Sequence, residues 1–97
     1  MLRHIILLRW SPEATDAQLE AAAAGFRALP GAIGEIRALA CGPDLALAEG
    51  GHDFAAVLDF DDADGWRAYQ RHPAHRALVA DLLAPVLAER AAIQIDV

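Results

Sequence analysis

The stretch Arg-His-Ile-Ile-Leu-Leu-Arg-Trp at residues 3–10 limits what this chain can fold into more than any other feature. Aliphatic and β-branched residues ended by Ser11-Pro12 read as a β-strand. Successive strand side chains point to opposite faces, so Ile5 and Leu7 go one way while His4, Ile6, Leu8 and Trp10 go the other. A sheet with one face in water alternates apolar and polar residues, and this strand does not. The segment 53–60 behaves likewise. Phe54, Ala56, Leu58 and Phe60 share one face, and Asp53, Ala55, Val57 and Asp59, half of them apolar, share the other. Leaving that second face exposed would create an apolar patch larger than a monomer usually carries. The economical expectation is a homodimer in which two sheets pack face to face and close into an eight-stranded barrel around a small cavity. The alternative is that the glycine-flanked loop at 42–51 covers part of the surface within one chain.

The remaining elements follow from capping and periodicity. Thr15 and Gln18 stand at the spacing of a capping box. Leu19, Ala22, Ala23, Phe26 and Leu29 then form one apolar helix face, which Pro30-Gly31 is expected to stop. A weaker strand is expected from Ile33 to Cys41, a loop from Gly42 to Gly51, and a clear strand from His52 to Phe60. Asp61, Asp62 and Asp64 suit the start of a short helix carrying Trp66 and Tyr69 on one face. That helix must break near His72, since Pro73 disfavours helical geometry in the residue before it. Pro73 is well placed to open the next helix, expected to reach about Leu87 with a kink or stop at Pro85. Ala91 to Val97 alternates and reads as a last strand. The order β-α-β-β-α-α-β predicts an α+β, ferredoxin-like fold, a four-stranded antiparallel sheet with helices on one face.

Composition narrows the class. Ninety-seven residues, 56% hydrophobic, suit one domain spanning 1–97 with a packed core. No apolar run approaches the roughly 20 residues that span a bilayer, so no membrane partner is expected. Residues 1–10 lack a small-residue cleavage site and read as a strand, not a signal peptide. Cys41 is the only cysteine, which excludes a disulfide framework and makes a cytoplasmic protein the plain expectation. The net charge is −6 and the eight basic residues, all arginine, are scattered, which argues against nucleic acid as a partner. Arginine without lysine, together with many alanines, suggests a GC-rich bacterial coding sequence.

Three segments carry a resemblance. Leu-Arg-His-Ile-Ile-Leu-Leu-Arg-Trp (2–10), Ala-Leu-Pro-Gly (28–31) and Trp-Arg-Ala-Tyr-Gln-Arg-His-Pro-Ala-His (66–75) together resemble the stress-responsive A/B barrel (Dabb) family over essentially the whole chain. The resemblance implies a dimeric α+β barrel. It also implies, for an enzymatic member, a cofactor-independent cyclase or lyase of the olivetolic acid cyclase type, with His4, Tyr69 and His75 at the catalytic positions. No cofactor and no metal are implied by that chemistry. A non-catalytic stress-responsive protein or structural dimer, with or without a hydrophobic ligand, is the alternative within the same family.

The residues themselves allow that chemistry and also allow structural roles. An imidazole buried in an apolar cavity stays neutral near pH 7, as a general base requires. If the face carrying His4 lines the barrel interior, His4 meets that condition; otherwise it is a strand residue bonded to a neighbouring group. His75, in the first turn of a helix, is either an acid–base group at a cavity mouth or a packing residue. Tyr69 either holds a substrate oxygen or anchors its helix by its ring. His72 reads as a helix cap. His72 and His75 with His4 or His52 could be imagined as metal ligands, but no acidic residue completes a zinc motif. Cys41 reads as a small buried residue. Catalysis requires His4, Tyr69 and His75 to converge on one interior cavity; if His4 instead points into the helix-packed core, the enzyme reading fails.

Overall fold

The computed structural model describes all residues, 1–97. Strand β1, Leu2–Trp10, leads to helix α1, Asp16–Ala32, and then to β2, Ala38–Pro43, and β3, Phe54–Phe60. Helices α2, Ala63–Arg71, and α3, Pro73–Ala77, follow, continued by a π-helical segment at Leu78–Leu83 and closed by β4, Leu87–Asp96. The four strands form one sheet in the order β2-β3-β1-β4, with every pair antiparallel. The expected order and fold class are therefore present. No helix is long and apolar enough to cross a membrane.

Helix α1 begins where its capping box predicts. The Thr15 hydroxyl accepts from the Gln18 amide at 3.2 Å, and Gln18 Oε1 accepts from the Thr15 amide at 2.9 Å. Ala22, Phe26 and Leu29 are buried as the periodicity requires. Pro30 does not stop the helix, which runs on to Ala32 and ends with the Ile33 amide bonded to Leu29 O at 2.8 Å. A proline this close to the C-terminus removes only one ladder bond. Ile33 and Ile36, both buried, plug the core from the following turn instead of opening a strand. β2 consequently starts at Ala38, five residues later than expected.

The C-terminal half departs further from the sequence pattern. The helix from Pro73 widens at Leu78–Leu83, where the Ala84 amide reaches Val79 O at 2.8 Å across a five-residue step, and it ends before Pro85. β4 starts at Leu87, four residues before the expected Ala91. Leu87 to Arg90 is helix-prone in isolation, but pairing with β1 from Leu2 to Trp10 overrides that preference. Gly25 on α1 permits close approach of this segment: a Cβ there would lie 2.7 Å from a Leu78 methyl and 2.9 Å from one of Leu82.

The two faces of β1 have separate fates. His4, Ile6 and Leu8 join Phe54, Ala56, Leu58 and Phe60 under the helices, in one core with Phe26, Leu29 and Tyr69. Each fully buried large apolar side chain there contributes about 1.5–3 kcal/mol. Cys41, expected to be buried, packs against this core but is only partly covered. The other face carries Ile5, Leu7, Val57, Ile93 and Ile95 with no element over it. Ile93 is 57% exposed. Cross-strand ion pairs close both ends of this strip: Arg3 with Asp59 at 2.8 and 3.1 Å, and Arg9 with Glu89 at 2.9 Å. The loop after β2 does not cover it, since Leu45 and Leu47 are themselves 78% and 88% exposed.

Replacing Thr15 by Ala removes the acceptor of the capping box, and the unfolding free energy is expected to fall by about 1 kcal/mol. Urea denaturation followed by circular dichroism reads this; an unchanged midpoint would show that the cap is energetically idle.

Candidate functional site

The expected site residues gather on the helix side of the sheet. β1 brings His4, α2 brings Trp66 and Tyr69, and the first turn of α3 brings His75. Asp62 caps α2 by accepting from the Gly65 amide at 3.0 Å, and the start of the helix sets which side chains face the sheet. His72 caps α3 as predicted, its Nδ1 accepting from the Ala74 amide at 3.0 Å. The turn between the two helices therefore fixes Tyr69 against His75.

The rings form a continuous cluster. Tyr69 and His75 have centroids 4.3 Å apart, His4 and Tyr69 5.8 Å, and His4 and Trp66 5.9 Å. Tyr69 is fully buried and His4 is 1% exposed. Beside the cluster lies a cavity of about 320 Å³, walled by Ile6, Leu8, Phe26, Leu78 and Leu83, into which Tyr69, His75, Gln70 and Arg90 also face. Phe26 in turn stacks on Phe54, with centroids 5.6 Å apart, which stiffens the far wall.

This arrangement corrects one expectation. The face of β1 that carries His4 does not line a space between two sheets; it is packed under the helices, the outcome set against catalysis. The physical reason is that β1 has two apolar faces, and the helices take the one bearing the aromatics. The cavity, however, is on that same side. Tyr69 and His75 line it, and His4 stands behind Tyr69 without reaching the lining. The metal arrangement does not occur: no group of three histidine, cysteine or acidic side chains could hold an ion. His52 follows the loop and lies toward the Leu8–Trp10 end of β1, next to Asp53, whose amide bonds Leu8 O.

Four polar atoms of the cluster are buried without any hydrogen-bond partner: His4 Nε2, Trp66 Nε1, the Tyr69 hydroxyl and His75 Nδ1. Folded proteins satisfy nearly all such groups, and each unpaired one costs about 1–3 kcal/mol. The other nitrogen of His4, Nδ1, is 2.8 Å from the Gln94 amide nitrogen across the β1–β4 ladder. An amide nitrogen only donates, so Nδ1 accepts and the neutral ring carries its proton on Nε2, toward the cluster.

Burial sets the protonation states. It pushes His4 down from 6.5 to about 4, with the charges of Arg90 and His75 acting in the same direction. Burial also lowers His75, opposed by the Gln70 backbone and assisted by Arg90. It raises Tyr69 from 10.0 to about 12, against the pull of Arg90. Both imidazoles are thus neutral at pH 7 and the phenol keeps its proton.

Arg90 and Gln94 are the participants that sequence reading missed. Both lie on β4 at the helix-facing positions opposite Leu8 and His4. Extending the last strand to Leu87 and pairing it with β1 would have placed them; the alternation at Ile93, Ile95 and Val97 alone did not.

Because the His4 value is depressed, unfolded chains bind more protons than folded ones between pH 6.5 and 4. The contribution of His4 to stability is fully present above pH 6.5 and is lost as pH falls toward 4, on the order of 3 kcal/mol. Unfolding free energies of the protein and of His4→Gln, measured across that range, should diverge in slope, with the variant flatter. Parallel slopes would mean that His4 titrates as an ordinary histidine.

Comparison with known proteins agrees with this architecture. A crystal structure of a dimeric ferredoxin-like protein of unknown function from Thermobifida fusca is 48% identical, with a TM-score of 0.91 over 99% of this chain and 90% of that one. An uncharacterized protein of Streptomyces coelicolor is 34% identical over 82 residues, 82% of this chain and 84% of the relative. Hydroxynitrile lyase from Passiflora edulis superposes with a TM-score of 0.86 over 97% of this chain and 90% of that one, at 16% identity, a likeness of fold alone. The model of the stress responsive A/B barrel domain matches residues 2–97, and this chain belongs to that family.

Proposed function

We propose that the chain works as a homodimer and that each protomer binds a small, largely apolar carbonyl compound in the cavity between sheet and helices. We further assign it cofactor-independent proton-transfer chemistry of the cyclase or lyase kind. The observation that carries this reading is the pair of buried, unpartnered polar atoms on the wall of one apolar cavity, the Tyr69 hydroxyl and His75 Nδ1. A bound carbonyl compound supplies an acceptor for the Tyr69 hydroxyl and lies against His75, whereas a purely structural wall would have been filled with apolar groups or closed by its own hydrogen bonds.

The roles follow from protonation state. Removing a proton next to a carbonyl needs a neutral base and a donor for the developing enolate oxygen, in a site that excludes water. His75 lines the cavity and is neutral at pH 7, which suits the base. Tyr69 keeps its hydroxyl proton up to about pH 12 and donates to the oxygen. His4 stands behind Tyr69 without reaching the cavity, so it orders the cluster and takes no part in the proton transfer, unlike the base role that its position on the strand suggested. The competing reading is a non-catalytic ligand carrier, and the recession of His4 from the cavity wall favours it.

Exchange of the protons next to the carbonyl of phenylacetone in deuterated buffer separates the two. The protein should accelerate exchange, His75→Ala should lower the rate about 100-fold or more, and Tyr69→Phe should lower it with the fold intact. The acid limb of the rate should lie below pH 6.5, because a depressed imidazole remains a neutral base in more acidic solution. Binding without accelerated exchange would leave the carrier and remove the enzyme.

The dimer rests on the uncovered strip of Ile5, Leu7, Val57, Ile93 and Ile95, bounded by ion pairs. Two such faces packed together bury the apolar middle of each sheet and close the eight-stranded barrel. Light scattering at micromolar concentration should give twice the chain mass, and Ile93→Asp should give the chain mass. A wild-type monomer would remove the barrel while leaving the cavity, which lies on the opposite face of the sheet.

A further inference from the structure

Arg90 adds a constraint on what the cavity accepts. Four of the eight arginines are held by carboxylates: Arg3 by Asp59, Arg9 by Glu89, Arg37 by Asp61 and Arg67 by Asp64. The Arg90 side chain makes no ion pair or hydrogen bond, although acidic residues outnumber basic ones by 14 to 8. Among the arginines without an ion pair, it is the one that faces the cavity holding the unpartnered cluster. Its charge is felt by His4, Tyr69 and His75 alike, which places it at the open side of the same site. A cation kept unpaired in an acidic chain, beside an apolar cavity, is positioned for an anion that comes from outside the chain.

The strand gives the distance. Arg90 and Gln94 occupy the same face of β4, four residues apart, so their Cα atoms stand about 13 Å apart along the strand. Tyr69 and His75 lie at the cavity that Arg90 enters. We propose that the ligand is a small oxo acid, its carboxylate held by the Arg90 guanidinium and its carbonyl oxygen lying against the Tyr69 hydroxyl and His75. The Arg90–carboxylate contact fixes which end of the molecule enters first. The apolar walls then accept the carbon chain between the two polar groups. This assignment rests on the cavity being the ligand site and adds to it the charge of the ligand.

The test uses 4-oxopentanoate and its methyl ester, which differ only in the anion. Titration followed by NMR of the Trp66 indole and the histidine rings should show the acid binding about tenfold more tightly than the ester at pH 7. A charge-assisted hydrogen bond to a carboxylate contributes about that factor. Arg90→Gln should bring the acid to the affinity of the ester, Arg90→Lys should keep part of the preference, and added salt should weaken the acid alone. Equal affinities in the wild type, or a preference that survives in Arg90→Gln, would overturn the assignment while leaving a carbonyl site in place. If neither compound perturbs the cluster in the wild type, the cavity reading fails and this assignment goes with it.

Discussion

Burial of His4, Ile6 and Leu8 under α1 and α2 positions nearly everything else in the molecule. β1 is hydrogen-bonded on both sides, to β3 and to β4, so its side chains cannot rotate away from either face. A shift of one residue in register would turn the three into the uncovered strip and bring Ile5 and Leu7 under the helices. Phe26 and Tyr69 then have only one surface to pack on. The aromatic cluster, the neighbouring cavity and the unpaired polar atoms are consequences of that one fixed register.

The same register explains why a cavity flanked by polar rings coexists with a stable core. Phe26, Phe54, Leu8 and Leu58 fill the middle of the helix-covered face and make it rigid. Nearer α3, the packing includes rings with polar atoms, and there the interior opens into a cavity. The unpaired atoms are destabilising in the isolated chain. They are tolerated because the apolar core around them is well packed, and a bound molecule or ordered waters would satisfy them.

Most of the fold was legible in the residues because capping and alternation are local. Thr15 with Gln18, Asp62, and His72 before Pro73 mark helix starts that the structure contains. The alternation of Phe54 to Phe60 reads directly as a strand with a buried face. What could not be read depended on long-range pairing. Ile33 and Ile36 look like strand residues but serve as core plugs, and Leu87 to Arg90 looks helical but pairs with β1. Of the ring cluster, His4, Tyr69 and His75 were singled out by their residue types. The side of the sheet they occupy was not, because β1 is apolar on both faces and no local pattern says which face the helices choose. Arg90 and Gln94 were invisible for the related reason that their meaning arises only from the β1–β4 ladder.

The π-helical segment at Leu78–Leu83 carries three apolar lining residues of the cavity, while the polar rings ride on α2, α3 and β1. A π-turn holds one residue more than the α-helical turn it replaces, and it is only marginally favoured over that turn. Deleting a residue there would rotate Leu78 and Leu83 relative to the rings without touching Tyr69 or His75. The volume of the cavity and the placing of the polar rings therefore depend on different segments of this architecture. Within one family, chains can drift in the size of molecule they admit while the imidazoles and the phenol stay where they are.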